Sequence, residues 1–86
     1  MKIAFDPAKD ITNRKKHGVS LAVGLTILQN RVGEQPAPDI YNEARRIAYG
    51  LVEGRLFVCV YTTRGDFHRI ISVRPANRSE RKRWLT

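Results

Sequence analysis

Apolar and polar residues alternate along the chain with periods that predict seven secondary-structure elements. Residues 2–5 are strand-like, and Asp6-Pro7 then predicts a helix start, because the aspartate side chain accepts from unpaired N–H groups and proline needs no such partner. The first helix is expected to end near His17, where Gly18 suits a left-handed cap.

A second helix is predicted after Ser20, whose hydroxyl group can cap it. Leu21, Leu25 and Leu28 recur at spacings of four and three and form one apolar face, although β-branched neighbours weaken the helix preference. Residues 30–39 contain one glycine and two prolines and little apolar content. This segment is therefore predicted to be a loop.

Three strand-like runs and a short helix complete the chain. The strands are predicted at about residues 45–51, 55–62 and 67–73, and the helix at about residues 78–85. Residues 56–61 are apolar on both faces, as expected of a central strand. Short turns between consecutive strands predict an antiparallel meander, which Pro75 ends because it lacks a donor for the ladder. The order β-α-α-β-β-β-α predicts one α+β domain over residues 1–86, with an antiparallel sheet packed against helices.

The charge of the chain is concentrated in its second half. The sequence has 16 Lys and Arg against 8 Asp and Glu, a formal net charge of +8. Residues 1–43 hold six basic and five acidic side chains, whereas residues 44–86 hold ten and three. A basic face of this kind indicates a protein that binds phosphate backbones. The alternative is a solvated surface that keeps a small protein in solution.

Composition also excludes several classes of protein. One cysteine and two histidines permit no internal disulfide and argue against a structural metal site. The longest apolar run, residues 56–61, is far too short to span a membrane, and the N-terminus does not look like a signal peptide. We therefore expect a small cytoplasmic protein without a cofactor, whose partner is a polyanion.

The predicted strand at residues 67–73 has the clearest chemical signal. Strict alternation, continued to residue 74, gives it one face with Phe67, Arg69, Ile71 and Val73 and another with His68, Ile70, Ser72 and Arg74. Arg69 then has apolar neighbours, so it is expected to pair with a carboxylate or to lie beneath a bound anion. The alternative is an edge strand, in which the arginine stem covers apolar surface and its head reaches water.

Further charged side chains extend this candidate site. Arg64 in the predicted turn and Arg74 at the strand end carry planar donor forks that match phosphate oxygens, and such groups stabilise the charge that develops when a phosphodiester is attacked. RNA carries its own nucleophile, the 2′-hydroxyl group, so its cleavage requires no metal. Glu80 is a candidate general base or orients an arginine, but Asn77 and Glu80 also have the spacing of a capping box.

Other candidates have a structural and a functional interpretation. His17 and His68 have side chains with ordinary pKa values near 6.5, and neither has the partners of a nucleophilic triad. Cys59 is expected in the core. The last helix carries cations that are either solvated or hold phosphates or an acidic partner segment: Arg78, Arg81, Lys82 and Arg83. The three tyrosines, Tyr41, Tyr49 and Tyr61, are expected in the core or at its rim rather than as stacking platforms.

An ordered set of motifs runs along nearly the whole chain. The set comprises Asp6-Pro7-Ala8-Lys9, Asn13 with Lys16-His17-Gly18-Val19-Ser20, Arg45 with Ile47-Ala48-Tyr49-Gly50, Gly54-Arg55-Leu56, Tyr61-Thr62 with Arg64-Gly65, and Arg69-Ile70-Ile71-Ser72-Val73-Arg74 followed by Glu80. In this order the motifs resemble the BrnT toxins of type II toxin–antitoxin systems. The chain departs from that pattern at Pro75, where the family usually has lysine.

The resemblance implies a RelE-like fold and a metal-independent ribonuclease toxin that inhibits growth by cutting RNA. It also implies a BrnA-type antitoxin that neutralises the toxin, dimerises and binds operator DNA, in an expected 2:2 complex. By position, the family's charged C-terminal motif is matched by Arg64, Arg69, Arg74 and Glu80, and its N-terminal motif by Lys9, Lys16 and His17.

Two functional hypotheses follow. In the first, the scissile phosphate is held by Arg64, Arg69 and Arg74. Either Glu80 or His17 then transfers the proton. The RNA backbone is then expected to contact Lys9, Lys16, Arg45, Arg78, Arg81 and Lys82. In the alternative, the same basic face belongs to a non-catalytic module that binds nucleic acid or a protein partner.

Overall fold

Five strands form one mixed sheet in the computed structural model, which describes residues 1–38 and 44–86. The strands are β1 (Lys2–Ala4), β2 (Arg31–Pro36), β3 (Arg46–Val52), β4 (Arg55–Arg64) and β5 (Phe67–Pro75). They lie in the order β1-β5-β4-β3-β2. The chain from β2 to β5 is an antiparallel meander, and β1 pairs in parallel with the start of β5. The predicted α+β class and the meander are thus confirmed. The predicted antiparallel sheet is wrong at β1, because the long connection between β1 and β5 lets these two strands run in parallel.

The first helix follows the prediction closely. Helix α1 (Pro7–His17) is capped by Asp6, whose side chain accepts from the backbone N–H of Ala8 at 2.8 Å. It ends at Gly18, which has a φ of 73°, a conformation that costs glycine little. Within the described residues no helix is long and apolar enough to cross a membrane.

The second predicted helix divides into two pieces. Ser20 caps a 3₁₀ turn (Leu21–Val23) through a bond from Ala22 N–H to its hydroxyl, and helix α2 (Gly24–Gln29) follows. The last helix, α3 (Arg78–Trp84), begins after the Asn77 cap, as predicted.

The loop predicted at residues 30–39 is wrong where it is described, because residues 31–36 form strand β2. The order of elements is therefore β-α-α-β-β-β-β-α. Gly33 lies beneath the ring of Trp84, where an added Cβ would stand 2.1 Å from a ring carbon, and Pro36 ends an edge strand, a position that tolerates a missing donor. Both residues thus serve packing and the edge of the sheet rather than a loop.

A carboxylate ties this edge strand to its neighbours. Glu34 accepts from Tyr61 Oη at 2.5 Å, from Arg46 Nε at 2.5 Å and from Arg31 Nη1 at 2.8 Å. Burial opposes ionisation of Glu34, but these hydrogen bonds outweigh it and lower its pKa. The polar side chain of Glu34, which suggested a loop, is hydrogen-bonded within the sheet.

The sheet has two faces that differ in their covering. The helix face packs against α1, the 3₁₀ turn and α2, and its buried residues are Leu21, Ile27, Leu28, Ala48, Phe57, Cys59, Tyr61, Ile70 and Val73. Among residues 1–38 and 44–86, only α3 covers the open face, and it does so in part; the smaller cluster there is Tyr49, Leu56, Val58 and Ala76 with Trp84 packed against them. Neighbouring residues of β4 alternate between the two clusters, as side chains of a strand do.

A β-bulge in β5 breaks the strict alternation that the sequence predicts. Val60 of β4 pairs with Ser72, but Tyr61 pairs with Ile70, so Ile71 is an extra residue. Ile70 and Val73 consequently both pack in the core of the helix face, where they are 1% and 0% exposed.

The bulge also corrects the predicted placement of the arginines. Arg69 pairs with Thr62 and Arg74 pairs with Val58, two β4 residues an even number of positions apart. Because Val58 belongs to the open-face cluster, both arginines lie on that face. The sequence had placed them on opposite faces. His68 remains on the other side, as predicted.

Helix α2 approaches β3 at Gly50, where an added Cβ would lie 2.1 Å from the backbone oxygen of Ile27. We expect Gly50→Ala to lower the free energy of unfolding by about 3 kcal/mol, since backbone atoms of both elements must separate. The comparison is Gly65→Ala, which has open space but a φ of 60° and should cost about 1 kcal/mol. Urea unfolding of both variants measures the two losses in the free energy of unfolding. Equal losses would contradict this packing argument.

Candidate functional site

One polar face of α1 lies against the outer edge of β5 and forms a cleft. The helix residues have the spacing of a single face, and the cleft has a volume of about 230 Å³. Its lining residues are Lys9, Thr12, Asn13, Lys16 and His17 from the helix and Ile71 and Ser72 from the bulge. The cations of the N-terminal motif therefore meet the bulged part of β5.

Asn13 holds the two walls of this cleft together. Its Nδ2 donates to the carbonyl oxygen of Val73 at 2.9 Å and to that of Val19 at 2.8 Å, and its Oδ1 accepts from Val73 N–H at 3.2 Å. Strand β1 pairs with β5 only as far as Arg69. The Asn13 amide thus takes the place of a strand partner where β1 has ended, and it holds the backbone between Ser72 and Arg74 in position.

The open face of β5 carries the arginines of the C-terminal motif. Arg64 pairs with Phe67 and Arg69 with Thr62. Arg64 and Arg69 are therefore diagonal neighbours, whose Cα atoms are about 7–8 Å apart in such a strand pair. The β4 partners of Arg69 and Arg74, Thr62 and Val58, are four residues apart. The backbones of the two arginines are therefore about 13 Å apart. The three predicted arginines therefore share one face of the sheet.

Arg69 is half-buried and unpaired among the described residues. Its guanidinium group makes no hydrogen bond or ion pair with any residue in 1–38 or 44–86, so the predicted carboxylate partner is not found there. The edge-strand alternative does not describe its position, since β1 flanks β5 at this point. An unpaired, half-buried guanidinium on an open face favours an anionic ligand.

Arg74 and Glu80 form a two-pronged ion pair. Nη1 and Nη2 of the arginine donate to Oε1 and Oε2 at 2.8 and 2.9 Å. Glu80 also accepts from the backbone N–H of Asn77 at 2.9 Å, which completes the predicted capping box. The bonds from Arg74 lower the pKa of Glu80 in spite of its burial. Both carboxylate oxygens are thus engaged, an arrangement that orients the arginine.

His17 lies at the rim of the cleft, and its pKa differs from the ordinary value. Its pKa is lowered from 6.5, first by burial and then by the positive charges of Lys16 and Arg74. The lowered pKa favours the neutral imidazole at pH 7. His17 and Ser72 line the same cleft, so the end of α1 lies near the end of β5.

The remaining predicted cations are distributed around this centre. Arg45 is half-buried beside the start of β3, where its carbonyl oxygen accepts from Ala37 N–H at 2.9 Å. Arg78, Arg81 and Lys82 are exposed on α3, which lies over the open face, whereas Lys9 and Lys16 lie on α1. The helix cations thus flank β5 from two sides.

Several residues have the structural roles that the sequence predicted. Burial raises the pKa of the Cys59 thiol to about 12, consistent with a core residue. Tyr49 and Tyr61 are 4% and 3% exposed, whereas Tyr41 lies outside the described residues. Trp84 stacks on Tyr49 with ring centroids 4.6 Å apart.

Thr12 and Ser72 are polar cleft residues that sequence reasoning did not select as site residues. Thr12 lies on the same helix face as Lys9 and Lys16, a spacing that could have indicated it. For Ser72 the sequence carries no such signal. In the sequence it is an ordinary strand residue, since nothing in its neighbours marks the bulge that brings it to the cleft. No three His, Cys, Asp or Glu side chains of residues 1–38 and 44–86 converge as metal ligands would.

A comparison with protein families matches this chain over residues 5–80. The matching family is described as "Ribonuclease toxin, BrnT, of type II toxin-antitoxin system". A search of curated protein sequences gives no match. The matched range includes the cleft, the bulge, the three arginines and Glu80.

The ion pair of Glu80 predicts a pH-dependent stability. Because its folded-state pKa lies below 4.5, the contribution is complete above that value and is lost as the pH falls through the folded pKa. Glu80→Gln should cost about 1 kcal/mol at neutral pH, and its deficit should shrink on acidification. Melting temperatures from neutral pH downward test this, with the exposed Glu53→Gln as control. A deficit that stays constant in acid would refute it.

Proposed function

Because the chain belongs to the BrnT family of ribonuclease toxins of type II toxin–antitoxin systems, we propose that it cuts RNA at the junction of the α1–β5 cleft and the open face. The reaction proceeds without a metal ion, by attack of the RNA's own 2′-hydroxyl group. The observation that carries this proposal is the bulge at Ile71, which puts Arg69 and Arg74 on one face beside a helix that carries Lys16 and His17.

The arginines bind and stabilise the reacting phosphate. Arg69 has an unused donor fork, and Arg74 has its guanidinium held in place by Glu80. Arg64, diagonal to Arg69, extends the same surface. As the 2′-oxygen attacks, negative charge grows on the phosphoryl oxygens, and each aligned donor contributes about 2.7–4 kcal/mol of transition-state stabilisation.

Proton transfer is assigned to His17 rather than to Glu80. A neutral imidazole at the cleft rim accepts the 2′-hydroxyl proton, whereas both oxygens of Glu80 already accept from Arg74. The new 2′-oxygen–phosphorus bond forms as the bond to the 5′-oxygen breaks, and that oxygen leaves as a hydroxyl group with a proton from water. The products are a 2′,3′-cyclic phosphate and a 5′-hydroxyl end.

The surrounding cations hold the rest of the RNA. Their positions on both sides of β5 support a backbone path across the end of that strand, with contacts from Lys9, Lys16, Arg45, Arg78, Arg81 and Lys82. Each lysine or arginine that neutralises a phosphate releases counterions, so binding is expected to weaken with salt.

A type II toxin has a protein antitoxin as its partner, and we propose an antitoxin of the BrnA type. Within the described part of the chain, the open face carries an excess of cations and is only partly covered by α3, which supports docking of an acidic segment over the RNA-binding arginines. A 2:2 complex that binds operator DNA through the antitoxin, and a RelE-like relationship of the fold, are parts of the same proposal.

The first test is cleavage of mixed RNA by purified, partner-free protein in EDTA. We expect cuts with 2′,3′-cyclic phosphate ends, and we expect Arg69→Ala to lower kcat about a hundredfold or more. Lys15→Ala, which removes one exposed charge on the far side of α1, is the matched control. Cleavage by Arg69→Ala at the parent rate would refute the assignment, and intact RNA with folded, RNA-binding parent would indicate a binding module.

The second test is the pH dependence of cleavage. If neutral His17 accepts the proton, kcat/KM should rise with pH through a value below 6.5 and then level off, because the pKa of His17 in the free protein is lowered. His17→Gln should lose this rise with pH, together with most of the activity. His68→Gln, which is outside the cleft and on the face of the sheet opposite the arginines, should retain the rise. If cleavage by His17→Gln rose with pH in the same way as cleavage by the parent, the proton transfer would belong to another group.

A further inference from the structure

Ser72 lies where the α1–β5 cleft meets the open face of the sheet. Its strand partner is Val60, two positions along β4 from Val58 of the open-face cluster. Because side chains alternate along β4, Ser72 is on the open face. Ser72 also lines the cleft, together with Lys16 and His17. The cleft and the open face therefore share this side chain.

The two arginines of the open face flank Ser72 along the sheet. Arg74 is two residues further along β5, and the β4 partners of Ser72 and Arg69 are also two residues apart. At the backbone, Ser72 is therefore about 7 Å from each arginine. All three side chains belong to the same face. Because serine is small, the space above it stays open to a phosphate that the two longer side chains approach from either side.

Ser72 and Arg69 both have hydrogen-bond donors left for a ligand. Ser72 is half-buried, and its hydroxyl group makes no hydrogen bond with any described residue. The guanidinium group of Arg69 is likewise unpaired in that part of the chain. A polar group that is partly withdrawn from water is stabilised by a ligand that bonds to it.

Arg74 also retains donors, although Glu80 holds its guanidinium group. One N–H of Nη1 and one of Nη2 donate to the two carboxylate oxygens. The Nε–H and the second N–H of Nη2 make no bond with the described residues. These two donors lie on one edge of the planar group, in the fork that matches two phosphate oxygens.

A phosphate between the two arginines has an oxygen for the hydroxyl group as well. During attack by the 2′-oxygen, negative charge grows on both non-bridging oxygens of the phosphate. The arginines approach them from either side, and the Ser72 hydroxyl group lies between the arginines at the level of the strand. Donors aimed at charge that develops in the transition state raise the rate, and serine hydroxyl groups are among those that serve in this way.

We propose that Ser72 is a further catalytic residue, whose hydroxyl group donates a hydrogen bond to one non-bridging oxygen of the scissile phosphate. The hydroxyl group keeps its proton throughout the reaction. The proposal rests on the function proposed above and adds a neutral donor to the charged groups assigned there. Since the bond strengthens as charge grows on that oxygen, Ser72 acts on the chemical step more than on RNA binding.

The first measurement is single-turnover cleavage of mixed RNA in EDTA by purified Ser72→Ala. Because its hydroxyl group bonds to no described residue, this variant should unfold at the parent's urea midpoint. Its cleavage rate at saturating protein should fall about tenfold or more. Ser72→Cys keeps the shape but has only a weak donor, so it should lose a similar factor. Ser79→Ala, which removes an exposed hydroxyl group from α3, is the matched control and should cut at the parent rate.

The second measurement locates the hydrogen bond on one phosphate oxygen. The substrate is a short RNA with one mapped cut position, where sulfur replaces either non-bridging oxygen in two separated diastereomers. Sulfur is a weak acceptor. Where it replaces the oxygen bonded by Ser72, the parent and Ser72→Ala should therefore cut at similar rates. With the other diastereomer the full loss should remain, whereas a merely structural role of Ser72 would lower both rates by the same factor.

The outcomes separate this proposal from the function on which it rests. Cleavage by Ser72→Ala at the parent rate, or equal losses with both diastereomers, would overturn the role of Ser72 and leave the proposed cleavage intact. A loss confined to one diastereomer would support the hydrogen bond. Intact RNA with folded parent protein would refute the cleavage itself, and the role of Ser72 with it.

Discussion

The extra residue at Ile71 is the constraint on which the candidate site depends. A strand of strict period two presents Ile70 and Val73 to opposite faces, yet both are needed in the same core. The bulge satisfies this need by shifting the register between Val60 and Tyr61. The shift carries Arg69 and Arg74 onto the open face. Burial of two aliphatic side chains on one face thus sets the direction of two cations on the other.

Polar side chains then hold the segments around the bulge in position. Asn13 replaces a missing strand partner at Val73. Asp10, which accepts from Leu21 N–H at 2.7 Å, joins α1 to the 3₁₀ turn. Glu80 closes a capping box and orients Arg74 with the same carboxylate. The site is therefore built from groups whose hydrogen bonds are satisfied in the folded protein, while Arg69 retains its donors for a ligand.

Local signals predicted those elements whose causes are local. The Asp6 and Asn77 caps, the Gly18 terminus and the meander follow from side chains within a few residues of each boundary. Strand β2 was missed because its support is distant in sequence. Glu34 is bonded to Tyr61 and Arg46, and Gly33 lies beneath Trp84. A short segment with glycine and proline has no local preference for a strand, so only these tertiary contacts make it one.

From the sequence alone came the fold class, the basic second half, the family and the set of charged candidates, since composition, caps and ordered motifs are properties of the chain itself. The tertiary structure decided which candidates meet. It placed His17 in one cleft with Ser72 and paired Glu80 with Arg74. These relations depend on register and on contacts between residues far apart in the chain, and a single unpaired residue in one strand reverses every face assignment beyond it.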